Sequence, residues 1–236
     1  MNELDDENRI LELLRAVPSY KVGFLSEDDI SKTIMKSLVE YPEKWVDNSG
    51  KSKQPPDYLN LSDSIMMEVM RVNDTDSASN KRESELQEEI AKSGILDSFP
   101  EVKVISCVPN IHTQSYSSYF KSFAHAVKKH DAKIDKYHNN HPGIEKVVFL
   151  ICDESEAYFE RHGAAKGIVH TWFIDKVLMS TILECRAQCV IWFTPYKALE
   201  RFGIKYPEIV VINPQLIDPK ALVTYNEKLM FDATKV

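Results

Sequence analysis

Glycine is scarce in this chain, seven in 236 residues, and none of the seven falls in the G-x-G-x-x-G spacing that follows a strand in dinucleotide-binding folds. That route to a nucleotide cofactor is excluded. A G-x-S-x-G elbow is also missing, so the strained serine nucleophile of the α/β-hydrolases has no place here. The four cysteines, Cys107, Cys152, Cys185 and Cys189, include no C-x-x-C pair, and Cys107 and Cys152 sit inside apolar runs, so all four read as reduced, structural thiols. The longest apolar run, Val147 to Cys152, is far short of the roughly 20 residues that span a bilayer, and the opening MNELDDENR carries no apolar leader. A soluble, cytoplasmic protein without a membrane partner is expected.

What charge there is lies unevenly. Residues 1–100 carry 21 acids against 12 bases and residues 101–236 carry 15 against 17, which places −9 of the net −7 in the first part and +2 in the second. The acidic part repels bare phosphate backbones, so charge-driven binding of nucleic acid by the whole surface is disfavoured. A local basic patch on the second part would still serve a nucleic-acid contact, and the acidic surface would serve a protein partner.

Residues 5–16 place Ile10, Leu11, Leu13 and Leu14 at near-helical spacing, ended by Pro18. A second helix is predicted from a capping pattern at Ser26 through Ile30, Ile34 and Leu38 to Glu40, with YKVGFL between the two as a short strand. Residues 47–58 are polar and rich in Pro and Ser, which marks a loop; Ser49-Gly50-Lys51-Ser52 within it is no P-loop, because position 45 is Trp and the preceding segment is helical. The segment 62–74 suits either state. As a helix it has Ser62 for an N-cap and a stripe of Ile65, Met66, Val69 and Met70, the reading its methionines favour. As a strand it puts Glu68 on one face with Met66, Met70 and Val72, where a carboxylate must find a partner.

A charged helix is predicted over 81–93, and from there the pattern turns regular. VKVISCV (102–108), VVFLIC (147–152), CVIWF (189–193) and IVVI (209–212) are continuous β-branched runs of the kind that form strands covered on both faces. Between them lie a long amphipathic helix with a stripe of Tyr119, Phe123, Val127 and Ile134, and the strongly apolar segment 172–185. Alternating strands and helices predict an α/β fold: a three-layer sandwich with a mostly parallel central sheet and a helical N-terminal region. Residues 1–98 are read as that mainly helical region packed on an α/β core of 99–236, together one compact domain.

In open parallel sheets ligands bind beyond the carboxyl ends of the strands. That rule gathers His112, Asp153, Glu154, Thr194, Tyr196, Lys197 and Asn213 at one edge. Asp153 and Glu154 are the expected metal ligands, since hard carboxylate oxygens suit Mg or Mn, with Glu68 completing the set and His112 or Lys197 polarising a phosphate or moving a proton. The competing account makes Asp153 or Ser155 the cap of a following helix. His138 and His141, ahead of Pro142-Gly143, read as a helix end, and His170 as the start of the apolar helix.

Asp153-Glu-Ser-Glu-Ala157 resembles the metal-binding DxSxS of von Willebrand A-type domains, with Ala157 in place of the final Ser. Pro56-Asp57, followed by Glu68-Val69-Met70, resembles the PD-(D/E)xK pattern of metal-dependent nucleases, with Met70 at the position of the lysine. The resemblance implies Asp57 and Glu68 as metal ligands and a lysine such as Lys197 supplied from elsewhere. The reading is therefore a divalent-metal-dependent phosphodiesterase, nuclease-like; its rival is a non-catalytic module that binds protein through its acidic N-terminal surface.

Overall fold

The stripe of Ile10, Leu11 and Leu14 folds as α1 (Glu3–Ala16), which ends just ahead of Pro18 and leads into β1 (Val22–Phe24) and α2 (Asp29–Glu40). In this computed structural model the described residues are 3–26, 28–50, 55–72, 116–153, 159–160, 171–195, 200–201, 204–224 and 230–231. The cap of α2 is Asp28, whose side chain accepts from the Ser31 N–H at 2.8 Å and from Ser26 Oγ at 2.9 Å. Ser26 thus supports the cap instead of forming it. The predicted strand 102–108 and helix 81–93 lie outside the described residues.

Three strands then form a meander: β2 (Val46–Asp47), β3 (Tyr58–Asn60) and β4 (Ile65–Val72), each antiparallel to the last. The helical reading of 62–74 is corrected here. Ile65, Met67 and Val69 face one apolar cluster, and Met66, Met70 and Val72 face another, so the segment is buried on both sides. A two-sided burial with alternating faces is what a central strand offers, whereas a helix in this position buries one stripe. Ser62 caps no helix; it sits in the β3–β4 turn, where its Oγ donates to Asn60 Oδ1, and Ser64 closes the turn at φ 55°.

Beyond β4 come α3 (Tyr116–Asp131), α4 (Ile134–Asn140) and β5 (Lys146–Asp153), which returns parallel to β4. The stripe read as one long helix is therefore two, with the break at Ala132-Lys133. A short ribbon pairs β6 (Phe159–Glu160) with the late β11 (Met230–Phe231). The apolar segment near 172–185 forms a 3-10 turn and then α5 (Lys176–Leu183), capped by Asp175. After it come β7 (Cys189–Phe193), the small hairpin β8 (Glu200–Arg201) and β9 (Ile204–Lys205), and β10 (Ile209–Ile212).

The main sheet has seven strands in the order β1-β10-β7-β5-β4-β3-β2. It is mixed, not mostly parallel: β4, β5 and β7 form a parallel block, β1 runs parallel to β10, and the remaining pairs are antiparallel. The connector from β7 to β10 carries no crossover helix among the described residues, and an antiparallel neighbour needs none. The N-terminal region is likewise less helical than expected, since residues 22–72 supply four of the seven strands. Buried apolar residues divide by sheet face. Those of α1 and α2 join Met67, Val69, Leu150 and Ile191, while those of α3, α4 and α5 join Met66, Met70, Phe149 and Trp192.

Candidate functional site: a buried carboxylate pair

The β3–β4 hairpin pairs Tyr58 with Met67, and the same register carried one residue further puts Asp57 opposite Glu68. Alternation along β4 turns Glu68 toward α3 and α4, where it is 4 % exposed. His130, on the last turn of α3, holds its Nδ1 at 2.7 Å from Glu68 Oε1, a hydrogen bond between the ring and the carboxyl group. Lys133, in the break before α4, brings its Nζ to 3.8 Å of the same oxygen. Glu68 Oε2 is buried. The Tyr137 hydroxyl of α4, also buried, lies against this same carboxylate.

Asp57 accepts the Val69 N–H on Oδ2 at 2.8 Å, which ties the acid to the strand it faces. Burial, and then the charge of Glu68, push the Asp57 carboxyl up to about 8, against the pull of the Val69 N–H; Glu7 of α1 adds to the rise and Lys133 opposes it. Burial raises the Tyr137 phenol as well, helped by the charge of Glu68, by a hydrogen bond to that carboxylate and by the charge of Asp57. Asp57 and Glu68 thus share one volume, with the charge of Glu7 felt from α1. Holding them all ionised is costly there, and His130 and Lys133 offset only part of that cost.

Asp153 ends β5 on the same sheet face. It is 0 % exposed, and its Oδ2 accepts from Tyr119 Oη at 2.6 Å and from Trp192 Nε1 at 3.3 Å. Val72 is its register partner on β4, so Glu68 lies four residues back along the strand, about 13 Å away at the usual rise. The two acids expected to share a metal are held apart by the sheet. Glu154, His112, Lys197, Tyr196 and His170 fall outside the described residues.

The other strand-end groups are placed by topology. Thr194, beyond β7, donates its N–H and its hydroxyl to Glu208 O, closing the turn toward β10. Asn213 lies at the opposite edge of the sheet from Asp153, because β10 runs antiparallel to β7, and it caps a 3-10 turn by accepting the Gln215 N–H. His138 Nδ1 bonds the Ile144 carbonyl at the end of α4, as its helix-end reading expects. Burial pushes the Cys185 thiol up to about 11 and the Cys189 thiol up to about 12, which disfavours a free thiolate nucleophile at either position near neutrality.

Sequence reasoning found Asp57 and Glu68 through the PD-(D/E)xK pattern and missed His130, Lys133 and Tyr137. An unbroken helix leaves Lys133 beside Ile134 with no signal of its own, and the break at Ala132-Lys133 is where it meets Glu68. No group of three or more His, Cys, Asp or Glu side chains stands at metal-holding distances among the described residues, so a cation here would rest on two carboxylates and complete its shell with water. Oxygen donors and the mutual repulsion of two buried acids fit a hard divalent ion. Comparison of the chain with protein-family models, with curated proteins and with solved structures finds no match to any of them.

Proposed function

We propose that Asp57 and Glu68 form the metal-binding centre of a divalent-cation-dependent phosphodiesterase with nuclease-like action. The observation that carries this reading is the pairing itself: two carboxylates face each other across a strand pair, one raised to about 8 by burial and by its neighbour's charge, the other buried against His130, Lys133 and Tyr137. Two facing buried acids are costly to keep ionised, and a divalent cation would offset that cost. Mg or Mn would be held by Asp57 Oδ1 and Glu68 Oε2, and when bound it supplies Lewis-acid polarisation of a phosphoryl oxygen and a more acidic water.

The chain's own groups divide the remaining work. His130 fixes the rotamer of Glu68 through Oε1, leaving Oε2 for the ligand. Lys133 brings an ammonium to the place where Met70 leaves the nuclease pattern without one, and it offsets charge on a phosphoryl oxygen drawn to the pair. Asp57 gives up its proton before it can ligate, so affinity for the cation rises as pH climbs toward 8. Asp153, satisfied by Tyr119 and Trp192, is assigned to the core in this reading. The two apolar clusters on opposite faces of the sheet support the finer architecture we infer, a three-layer sandwich.

The test is a thermal melt at pH 8.5 with and without Mn²⁺, run beside Glu68→Gln and followed by hydrolysis of bis(p-nitrophenyl) phosphate. At a hundred times its Kd the ion stabilises the folded state by about 2.7 kcal/mol, a rise of roughly 5–10 °C for a chain of this size, which Glu68→Gln abolishes together with hydrolysis. An unshifted wild-type melt at millimolar Mn²⁺ sinks the metal centre and favours the protein-binding module instead.

A further inference from the structure

Beside the carboxylate pair, between the end of β4 and the outer flank of α3, runs an open groove of about 480 Å³. Arg71, Lys121, His125, Lys129 and His130 line it, and no carboxylate does among the described residues. This is the local basic patch that the overall charge of −7 hides. Lys121, His125 and Lys129 stand at i, i+4 and i+8 on one helix, which spaces them about 6 Å apart in a single file. That interval is close to the separation of successive phosphates along one nucleic-acid strand. His130 belongs to both features: its ring lines the groove, while its Nδ1 bonds Glu68.

We propose that this groove is the track for the sugar-phosphate backbone of a single nucleic-acid strand. Lys121, His125 and Lys129 face successive phosphates, and the track ends at His130, one side chain away from Glu68. A fixed row of cations reads charge and spacing, not base identity, so binding is independent of sequence and depends steeply on salt. Only the destination of the strand rests on the hydrolase reading; the track itself requires no metal.

The experiment measures fluorescence anisotropy of a labelled single-stranded 20-mer DNA in EDTA across a salt series. It compares wild type with Lys121→Glu/Lys129→Glu and with a control, Lys36→Glu/Lys220→Glu, whose lysines are exposed elsewhere. All three proteins are first checked for equal melting temperatures. The groove variant is expected to bind at least about tenfold more weakly at low salt, with the log–log salt slope shallower by about 1.4 for two lost contacts, while the control matches wild type. Absence of binding by wild type at low salt overturns the track, and so does a groove variant that binds like the control. Binding without Mn²⁺-dependent cleavage removes the hydrolase and leaves the track standing. Hydrolysis of bis(p-nitrophenyl) phosphate without oligonucleotide binding does the reverse.

Discussion

Glu68 on β4 and Asp153 on β5 are acids on neighbouring central strands, both buried and both turned to the face that α3 covers. Their surroundings differ. Asp153 receives a phenol and an indole on one oxygen, donors that come from α3 and β7 and lock the sheet to its helix. Glu68 has its first oxygen shared by His130 and Lys133, with Tyr137 beside the carboxylate and a second acid, Asp57, facing it across the strands. Burial alone therefore does not distinguish the two acids; the difference lies in whether a like charge stands among the neighbours.

Removing each acid in turn sharpens the contrast. Asp153→Ala strands the Tyr119 hydroxyl and the Trp192 N–H in the core and is expected to cost about 2–4 kcal/mol, lowering the melting temperature by roughly 5–15 °C while leaving the Mn²⁺ shift intact. A loss of the Mn²⁺ shift in a still-folded Asp153→Ala would reverse the assignment of the two acids. Tyr119→Phe removes one donor and keeps the ring against Phe123, so a cost of about 1 kcal/mol is expected, checked by urea denaturation.

The third effect is a slope. The Asp57 carboxyl sits well above its unfolded value, so the folded state holds the extra proton between about pH 4 and about 8, and stability from this group is present at low pH and lost as pH rises through 8. Asp57→Asn removes that proton equilibrium. Melts from pH 5 to pH 9 are expected to fall less steeply for the variant than for wild type; parallel curves would show that Asp57 is an ordinary carboxylate and that the pair does not repel.

Much of this architecture is visible in the residues. The runs VVFLIC, CVIWF and IVVI are strands within a residue of their expected limits, and α1, α2 and the short β1 lie where caps and prolines put them. Direction is not visible in such runs, because an apolar strand reads the same whichever way it points, and so the antiparallel β10 and the position of Asn213 came only with the fold. Residues 65–72 show a different failure. Met is a good helix former by local preference, and only the layers on both sides of the segment decide in favour of a strand. The site was legible as a pair, Asp57 and Glu68, through their spacing; its cations were not, because His130 and Lys133 reach it through a break between helices that the apolar stripe runs straight across.

The four-residue turn from Leu61 to Ser64 has a reach beyond its size. It sets how far β3 runs beside β4, and β4 is pinned independently by its long parallel pairing with β5. One residue gained or lost in that turn would bring Met67 or Val69 opposite Asp57 in place of Glu68, and because facing residues share a sheet face it would also turn Tyr58 and Leu59 out of the clusters they fill. The register that brings the two acids together is the one the packing of β3 requires, so the length of this turn is guarded by the core, whatever use the pair is put to.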